Sequence, residues 1–430
     1  MTKQEWLEAF ETINGRRPST QEFHNAKING EFLDDTNDSS DKTCPKCQLL
    51  NTTGSPFCSN CGARMDGTGR ASMDTANDIV GGIANKINSV TGGEGAVELR
   101  MRDLFSDVFK KHTREEAENL FACGSKATTP KPEDISREWP KPWYFARVFG
   151  VLLLSALMLY FMYVTFNNWN MLPGLMFVAA MAGAIPILFF YFECNSPRNI
   201  DIMTVLEIFL IGGLLSLLAT LVLIQIFPSG VGDFFPSMMT GVLEEVGKLV
   251  ATAYFVNKFT DKRYILNGLL IGGAVGAGFA VFETAGYIFN SSLVNYESIN
   301  GTLPVFNPDP SSAVGTAILR GLLAFGGHVA WAAITGAGLM MVLKKQNSFD
   351  WSALFTGESL RFLVLVIILH GIWDMNLTNS IGGEYIKLAT LCLLAVITIM
   401  IIINRGLKEI NDLGKNLPIP LGIENTNEVL

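Results

Sequence analysis

Charge is what this chain has least of. Asp, Glu, Lys and Arg make up 17% of its 430 residues, against about 25% in an ordinary soluble protein. The shortage is uneven: residues 1–142 are polar and charged, whereas 143–404 are dominated by Leu, Ile, Val, Phe, Ala, Met and Gly. The net charge of −8 therefore averages two unlike regions and describes neither surface. No basic patch is present, which argues against a nucleic-acid partner. The first residues lack a basic flank followed by an apolar run, so no signal peptide is expected and targeting falls to the first membrane helix. Seven cysteines are present. Cys123, Cys194 and Cys392 are scattered and the other four form two CxxC pairs, which speaks against a disulfide framework. Histidine is rarer still, with only His24, His112, His328 and His370. No HExxH helix is present, and the two halves show no matching pair of interrupted segments of the kind that marks many transporters.

What is abundant is apolar sequence in membrane-length runs, each about 20 residues, enough to cross a hydrocarbon core. Eight are legible, at 146–166, 171–192, 203–227, 234–256, 265–289, 315–343, 357–376 and 383–404. The fold class expected is an all-α polytopic membrane protein of about eight transmembrane helices, preceded by a small cytosolic zinc-ribbon region. Lysine and arginine recur in alternate loops: before the first span (Lys126 to Arg147), after the second (Arg198), fourth (Lys258, Lys262, Arg263), sixth (Lys344, Lys345) and eighth (Arg405, Lys408, Lys415). Positive loops stay on the cytoplasmic side, so both termini are expected there. Lys387, at the start of the eighth span, is the one exception.

The polar third divides further. Residues 1–35 read as a small helical unit with Trp6, Leu7, Phe10 and Ile13 at helical spacing, and Ser19 with Glu22 has the form of a capping box for a second helix. Residues 44–66 contain CPKC and CSNC, where Cys44, Cys47, Cys58 and Cys61 present four thiolates suited to a tetrahedral structural Zn²⁺. A closed Cys₄ set leaves no open position for catalysis and suggests folding or docking of a cytosolic partner. Residues 67–142 form a linker with an amphipathic helix over 98–121, carrying Leu99, Leu104, Phe105, Val108 and Phe109 on one side. Residues 143–405 hold the eight spans, and 406–430 form a cytosolic tail.

The remaining charges sit where they are expensive. An ionisable side chain at mid-bilayer costs roughly 2.5–3.5 kcal/mol on insertion scales, so it marks function by default. The fourth span carries Glu244, Glu245 and Lys248, the fifth Glu283, the sixth His328, and the seventh His370 and Asp374. Lipid exposure of the set would cost on the order of 10 kcal/mol or more, so they must face a shared polar interior. Thr240, Glu244, Lys248 and Thr252 form one stripe at four-residue spacing. On the fifth span Gly268, Gly272, Gly276 and Ala280 form a small-residue ridge that allows close helix approach. His370 and Asp374, one turn apart, place a carboxylate where it can fix the imidazole tautomer.

With EEVGK (244–248), FETAGY (282–287), GHVAW (327–331) and HGIWD (370–374) in order on successive spans, the chain resembles the PrsW-type intramembrane proteases, distant relatives of the CAAX prenyl protease and bacteriocin-processing family. The resemblance covers about 145–405 and leaves the zinc ribbon as an added module. It departs from the wider relatives in offering Glu283 where their second motif is built around a His. It implies cleavage of a membrane-anchored protein, single-span and of the anti-sigma-factor kind, in or near its spanning segment in a bacterial plasma membrane. The residues admit that chemistry, which needs an activated water, an oxyanion stabiliser and a proton donor for the leaving amine. Glu244 or Glu245 is the expected base. His370, oriented by Asp374, positions the water or the oxyanion, His328 supplies a second polar contact, and Lys248 offsets the paired carboxylates. A catalytic metal is left open: His328, His370 and Glu283 or Asp374 offer a His₂-carboxylate set, while a metal-free glutamate mechanism is favoured. The rival reading is a proton-coupled transporter using the same acids and histidines as a relay.

Overall fold

The computed structural model describes residues 3–14, 18, 26, 31, 42–43 and 50–51, and then 105–415 with short gaps at 133, 137–138, 260–262, 292, 299–300, 307–309, 346–348 and 379. Two compact units divide the chain, Met1–Ala76 and Asn77–Leu430. In the first, α1 (Lys3–Asn14) buries Trp6 against Ala26, with Leu7 and Phe10 beside it. Ile13, expected on the same face, is exposed, so the buried stripe stops at Phe10. Two-residue strands β1 (Lys42–Thr43) and β2 (Leu50–Asn51) pair antiparallel. The capping box at Ser19 and the four cysteines of the expected ribbon lie outside the described residues.

In the second unit the helix expected over 98–121 is shorter. Residues 105–113 are turns and coil, and α2 spans only Arg114–Phe121. The start is fixed by a capping box that the amphipathic pattern hid. The Thr113 hydroxyl accepts from the Glu116 N–H at 3.1 Å while the Glu116 carboxylate accepts from the Thr113 N–H at 2.8 Å. The segment that follows is docked rather than a free linker. Arg198 donates to the α2 carbonyls of Asn119 and Leu120 at 2.7 and 3.0 Å, and Cys123 and Ile135 are buried in the main core.

The helices that follow are α3 (Tyr144–Thr165), α4 (Leu172–Cys194), α5 (Ile202–Ile226, with a π-helical turn at Ile208–Gly212), α6 (Phe234–Lys258) and α7 (Ile265–Ser291). A hairpin of β3 (Leu293–Ser298) and β4 (Gly301–Phe306) leads to α8 (Pro310–Leu323), α9 (His328–Leu343), α10 (Gly357–Asp374) and α11 (Ile381–Lys415). Among the described residues six helical stretches are long and apolar enough to cross a membrane, and α6 and α10 are not among them. The reason is charge: α6 carries Glu244, Glu245 and Lys248, and α10 carries Glu358, Arg361 and Asp374. On α3, by contrast, Val151, Leu154, Leu157 and Phe161 stand exposed, as lipid-facing residues do. The Glu193 carboxylate at the end of α4 accepts from the N–H groups of Trp143, Tyr144 and Phe145 at 2.8–2.9 Å, satisfying amides that the first turn of α3 leaves unpaired.

Helices α7 and α9 form the buried centre. The expected small-residue ridge is their contact: a Cβ on Gly336 would stand 3.0 Å from the Gly272 Cα, so the backbones touch only because both are glycine. The sixth span is broken, where a continuous helix over 315–343 was expected. Helix α8 ends at Leu323, a 3₁₀ turn covers Ala324–Gly326, and α9 begins at His328. The tandem Gly326–Gly327 is the weak point, since glycine is a poor helix former, and Gly326 lies against Cys392 of α11 with no room for a side chain. At the other end α11 runs to Lys415, past the expected end near 404, because Leu407 and Ile410 remain buried. Lys387 donates to the carbonyls of Trp373 and Met375 at 3.1 and 2.5 Å and pairs with Glu384 at 2.6 Å. Its charge lies at the C-terminal end of α10, where the helix dipole favours a cation.

Candidate active site

Four elements bring seven side chains together: Glu244, Glu245 and Lys248 from α6, Glu283 from α7, His328 from the first turn of α9, and His370 and Asp374 from the last turn of α10. Two close approaches make this possible. Gly241 on α6 lies against the Ile367 carbonyl and the Gly371 N–H, where a Cβ would stand 3.0 and 3.1 Å away, so α6 and α10 meet backbone to backbone one turn from the chemistry. The helix break sets His328 at a helix N-terminus, directly over α7.

Lys248 is the hub. Its side chain is fully buried, and its ammonium donates to Glu245 Oε1 at 2.6 Å and to His328 Nδ1 at 2.9 Å. It also lies 4.4 Å from the centre of the Phe279 ring. Glu245 Oε1 also faces His370 Nδ1 at 2.8 Å, so a single oxygen holds both the lysine and the imidazole. His328 Nε2 lies 2.9 Å from Glu283 Oε2. A carboxylate only accepts, so the proton sits on Nε2 of His328 and on Nδ1 of His370. Each imidazole therefore has one nitrogen tied to a carboxylate and the other turned inward. Asp374, expected to be the group that orients His370, stands at 3.4 Å from Nε2, while the shorter contact comes from Glu245. The rings of His328 and His370 are 5.1 Å apart, and Trp331 stacks on His370 at 4.5 Å.

Glu244 occupies the middle. Its Oε2 lies 3.7 Å from His370 Nε2, 3.8 Å from His328 Nδ1 and 3.7 Å from Lys248 Nζ. That oxygen is buried and has no hydrogen-bond partner among the described residues. A buried unpaired acceptor is costly, by about 1–3 kcal/mol or more when charged, which marks a place prepared for something else.

The donor set there suits a divalent cation. Ligand atoms of Glu244, His328 and His370 lie within 4.8 Å of one another, and both imidazoles have the carboxylate-backed second nitrogen typical of metal-ligating histidines. The carboxylate of this set is Glu244, where Glu283 or Asp374 was expected; Glu283 instead backs His328 at 2.9 Å and Asp374 stands 3.4 Å from His370. Charge points the same way. Four carboxylates face two cations, Lys248 and Arg320, and a divalent ion or protons on the imidazoles closes the difference. Because the Lys248 ammonium stands on His328 Nδ1, a cation bound there takes the place of that hydrogen bond.

Arg320 was missed by the sequence reading. It donates from Nη2 to Glu283 Oε2 at 2.5 Å and from Nε to Thr284 Oγ1 at 3.0 Å. The available signal was a lone arginine inside an apolar run, eight residues before His328.

Residues 201–403 match the family model described as PrsW family intramembrane metalloprotease. No curated protein and no solved structure matches the chain.

Proposed function

We propose that the chain, whose residues 201–403 form a PrsW-family intramembrane protease domain, hydrolyses a peptide bond in or near the spanning segment of a single-span, membrane-anchored regulatory protein. The observation that carries the mechanism is the unpaired Glu244 Oε2 ringed by two inward imidazole nitrogens. Such an oxygen is the place for the reacting water. Glu244 takes the water proton as the water oxygen attacks the scissile carbonyl carbon. The C–N bond then breaks, and Glu244 returns that proton to the leaving amine. His370, locked through Nδ1 by Glu245, turns Nε2 toward the water. Lys248, with two of its three hydrogens engaged, keeps a positive charge beside the developing oxyanion. Glu244, His328 and His370 would hold a divalent cation, which when bound acidifies the water and polarises the carbonyl. A carboxylate has two oxygens, so holding a cation through one leaves the other to receive a proton.

Burial supports the same reading. Trp331, stacked on His370, and Phe279, beside Lys248, are both buried, and this apolar surround strengthens each electrostatic contact of the site. The anti-sigma-factor kind of substrate, a bacterial plasma membrane with both termini cytoplasmic, and a cytosolic partner for a Cys44/Cys47/Cys58/Cys61 zinc ribbon complete the proposal. The test is time-dependent cleavage of a single-span reporter by purified protein in liposomes. Cleavage that disappears in Glu244→Gln, with the protein folded, supports it. Undiminished cleavage in that variant removes the base, and proton flux without any cleavage turns the cluster into a transport relay.

A further inference from the structure

Arg320 is a charged neighbour of the site to which the hydrolytic reading gives no task. We propose that it is a positioning residue, which fixes the ring orientation of His328 by gripping the carboxylate that His328 leans on. The inference rests on the protease reading above. His328 needs such help because the helix break makes it the first residue of α9, preceded by Gly327 and a single 3₁₀ turn rather than by an α-helical turn that would confine its side chain. Its orientation depends on Nε2 meeting Glu283 Oε2 at 2.9 Å. That same oxygen accepts from Arg320 Nη2 at 2.5 Å. The guanidinium is itself held along one face of α7, with Nε on Thr284 Oγ1 at 3.0 Å and its plane 4.2 Å over the Tyr287 ring. A rigid, planar fork committed on three sides immobilises Glu283 in a way a lysine cannot. The order of dependence is Arg320, Glu283, His328 and then Lys248, which meets Nδ1 at 2.9 Å. Without the guanidinium, Glu283 can swing away, the imidazole can rotate, and the nitrogen presented to Glu244 is no longer fixed.

The experiment is steady-state kinetics of the full chain in liposomes on a single-span reporter, for Arg320→Ala, Arg320→Lys, Glu283→Gln and the double variant Arg320→Ala/Glu283→Gln. Loss of a group that orients a catalytic side chain costs about 10–100-fold. The expected result is therefore a fall of that size in kcat for Arg320→Ala, with KM within about threefold, because the proposal has Arg320 act through Glu283 and His328 rather than on the substrate. Arg320→Lys recovers part of the loss. The double variant is no worse than Glu283→Gln alone by more than about twofold, as two members of one chain are not additive. If Arg320→Ala does not fold, the Arg320→Lys and Glu283→Gln pair carries the same cycle. A kcat for Arg320→Ala within about twofold of wild type, or losses that multiply across the double variant, overturns the proposal. Either result leaves the protease reading standing so long as Glu244→Gln is inactive. A fully active Glu244→Gln instead defeats that reading, whatever Arg320 does.

Discussion

Two neighbouring glutamates on α6 have opposite surroundings, and that difference separates their parts. Glu245 Oε1 is tied to Lys248 at 2.6 Å and to His370 at 2.8 Å, so it serves as the strut of the site. Glu244 Oε2 has no hydrogen bond and three groups at 3.7–3.8 Å, so it is poised rather than fastened. Neutralising each should read differently. Glu244→Gln removes a base and should lower the cleavage rate by about 100-fold or more, with a smaller change in thermal midpoint than Glu245→Gln, since Glu244 Oε2 makes no hydrogen bond and its ionic contacts are longer, at 3.7–3.8 Å. Glu245→Gln keeps an amide oxygen but removes the carboxylate charge that Lys248 and His370 share, and breaking a buried ion pair costs about 3–5 kcal/mol. Activity and thermal midpoint should then fall together. Equal midpoints for the two variants in a detergent melt would mean the strut and the base have been assigned the wrong way round. The sequence could not separate them, because residues 244 and 245 lie only about 100° apart on a helix and both can face inward. What separates them is the arrival of α10 on the Glu245 side, a tertiary fact.

At the scale of elements, helix existence was readable from apolar length, and the ridge of Gly268, Gly272 and Gly276 was readable from four-residue spacing, because both are local patterns. The break before His328 was hidden, since an apolar run looks alike whether it is one helix or two. The capping box at Thr113 that shortens the juxtamembrane helix was hidden for a different reason: an amphipathic stripe continued upstream of it. Least legible was the pair Gly241 and Gly371. Neither belongs to an obvious ridge, yet they set α6 against α10 and so bring His370 to Glu245. Gly241→Val should therefore act out of proportion to its size. Its side chain would meet backbone atoms of α10 that cannot rotate away. Overpacking of this kind costs about 1–3 kcal/mol, and the separation it forces falls on a catalytic contact. The expected outcome is a protein that keeps its helical circular dichroism and loses cleavage. Gly286→Ala on α7 is the comparison: nothing lies within 4 Å of the Cβ it would gain, so it should be neutral, or slightly stabilising through helix propensity. Loss of activity in both variants, or in neither, would mean that the α6–α10 contact does not set the site.

For the molecule as a whole, apolarity and charge distribute the tasks. Among the described residues six stretches are long and apolar enough to cross a membrane, and the two helices that fail that description by composition, α6 and α10, carry five of the seven expected site residues. On α6 the charges that break the apolar pattern are those of the site itself, whereas on α10 Glu358 and Arg361 add to Asp374; the charges deep inside the apolar runs are the ones that let a site be read before any fold was known. The same view bears on orientation. Lysine and arginine fall in alternate loops apart from Lys387, which meets the carbonyls of Trp373 and Met375 and the carboxylate of Glu384. A hydrogen-bonded ammonium keeps its charge and an acidic neighbour offsets it little, so Lys387 remains the one exception to the alternation. The prediction is that both chain ends lie on the cytoplasmic side while the loop around residue 300 faces outward. Single cysteines introduced at position 3, at position 300 and at position 420, in a background lacking the native ones, would be challenged in intact cells with a membrane-impermeant maleimide. Labelling at 300 alone is the expected pattern, with all three reacting once the cells are opened. Labelling at 420 but not at 3 in sealed cells would mean an odd number of crossings, with the break between α8 and α9 turning the chain back within the membrane, and labelling at 3 would mean that the loop charges do not set the orientation.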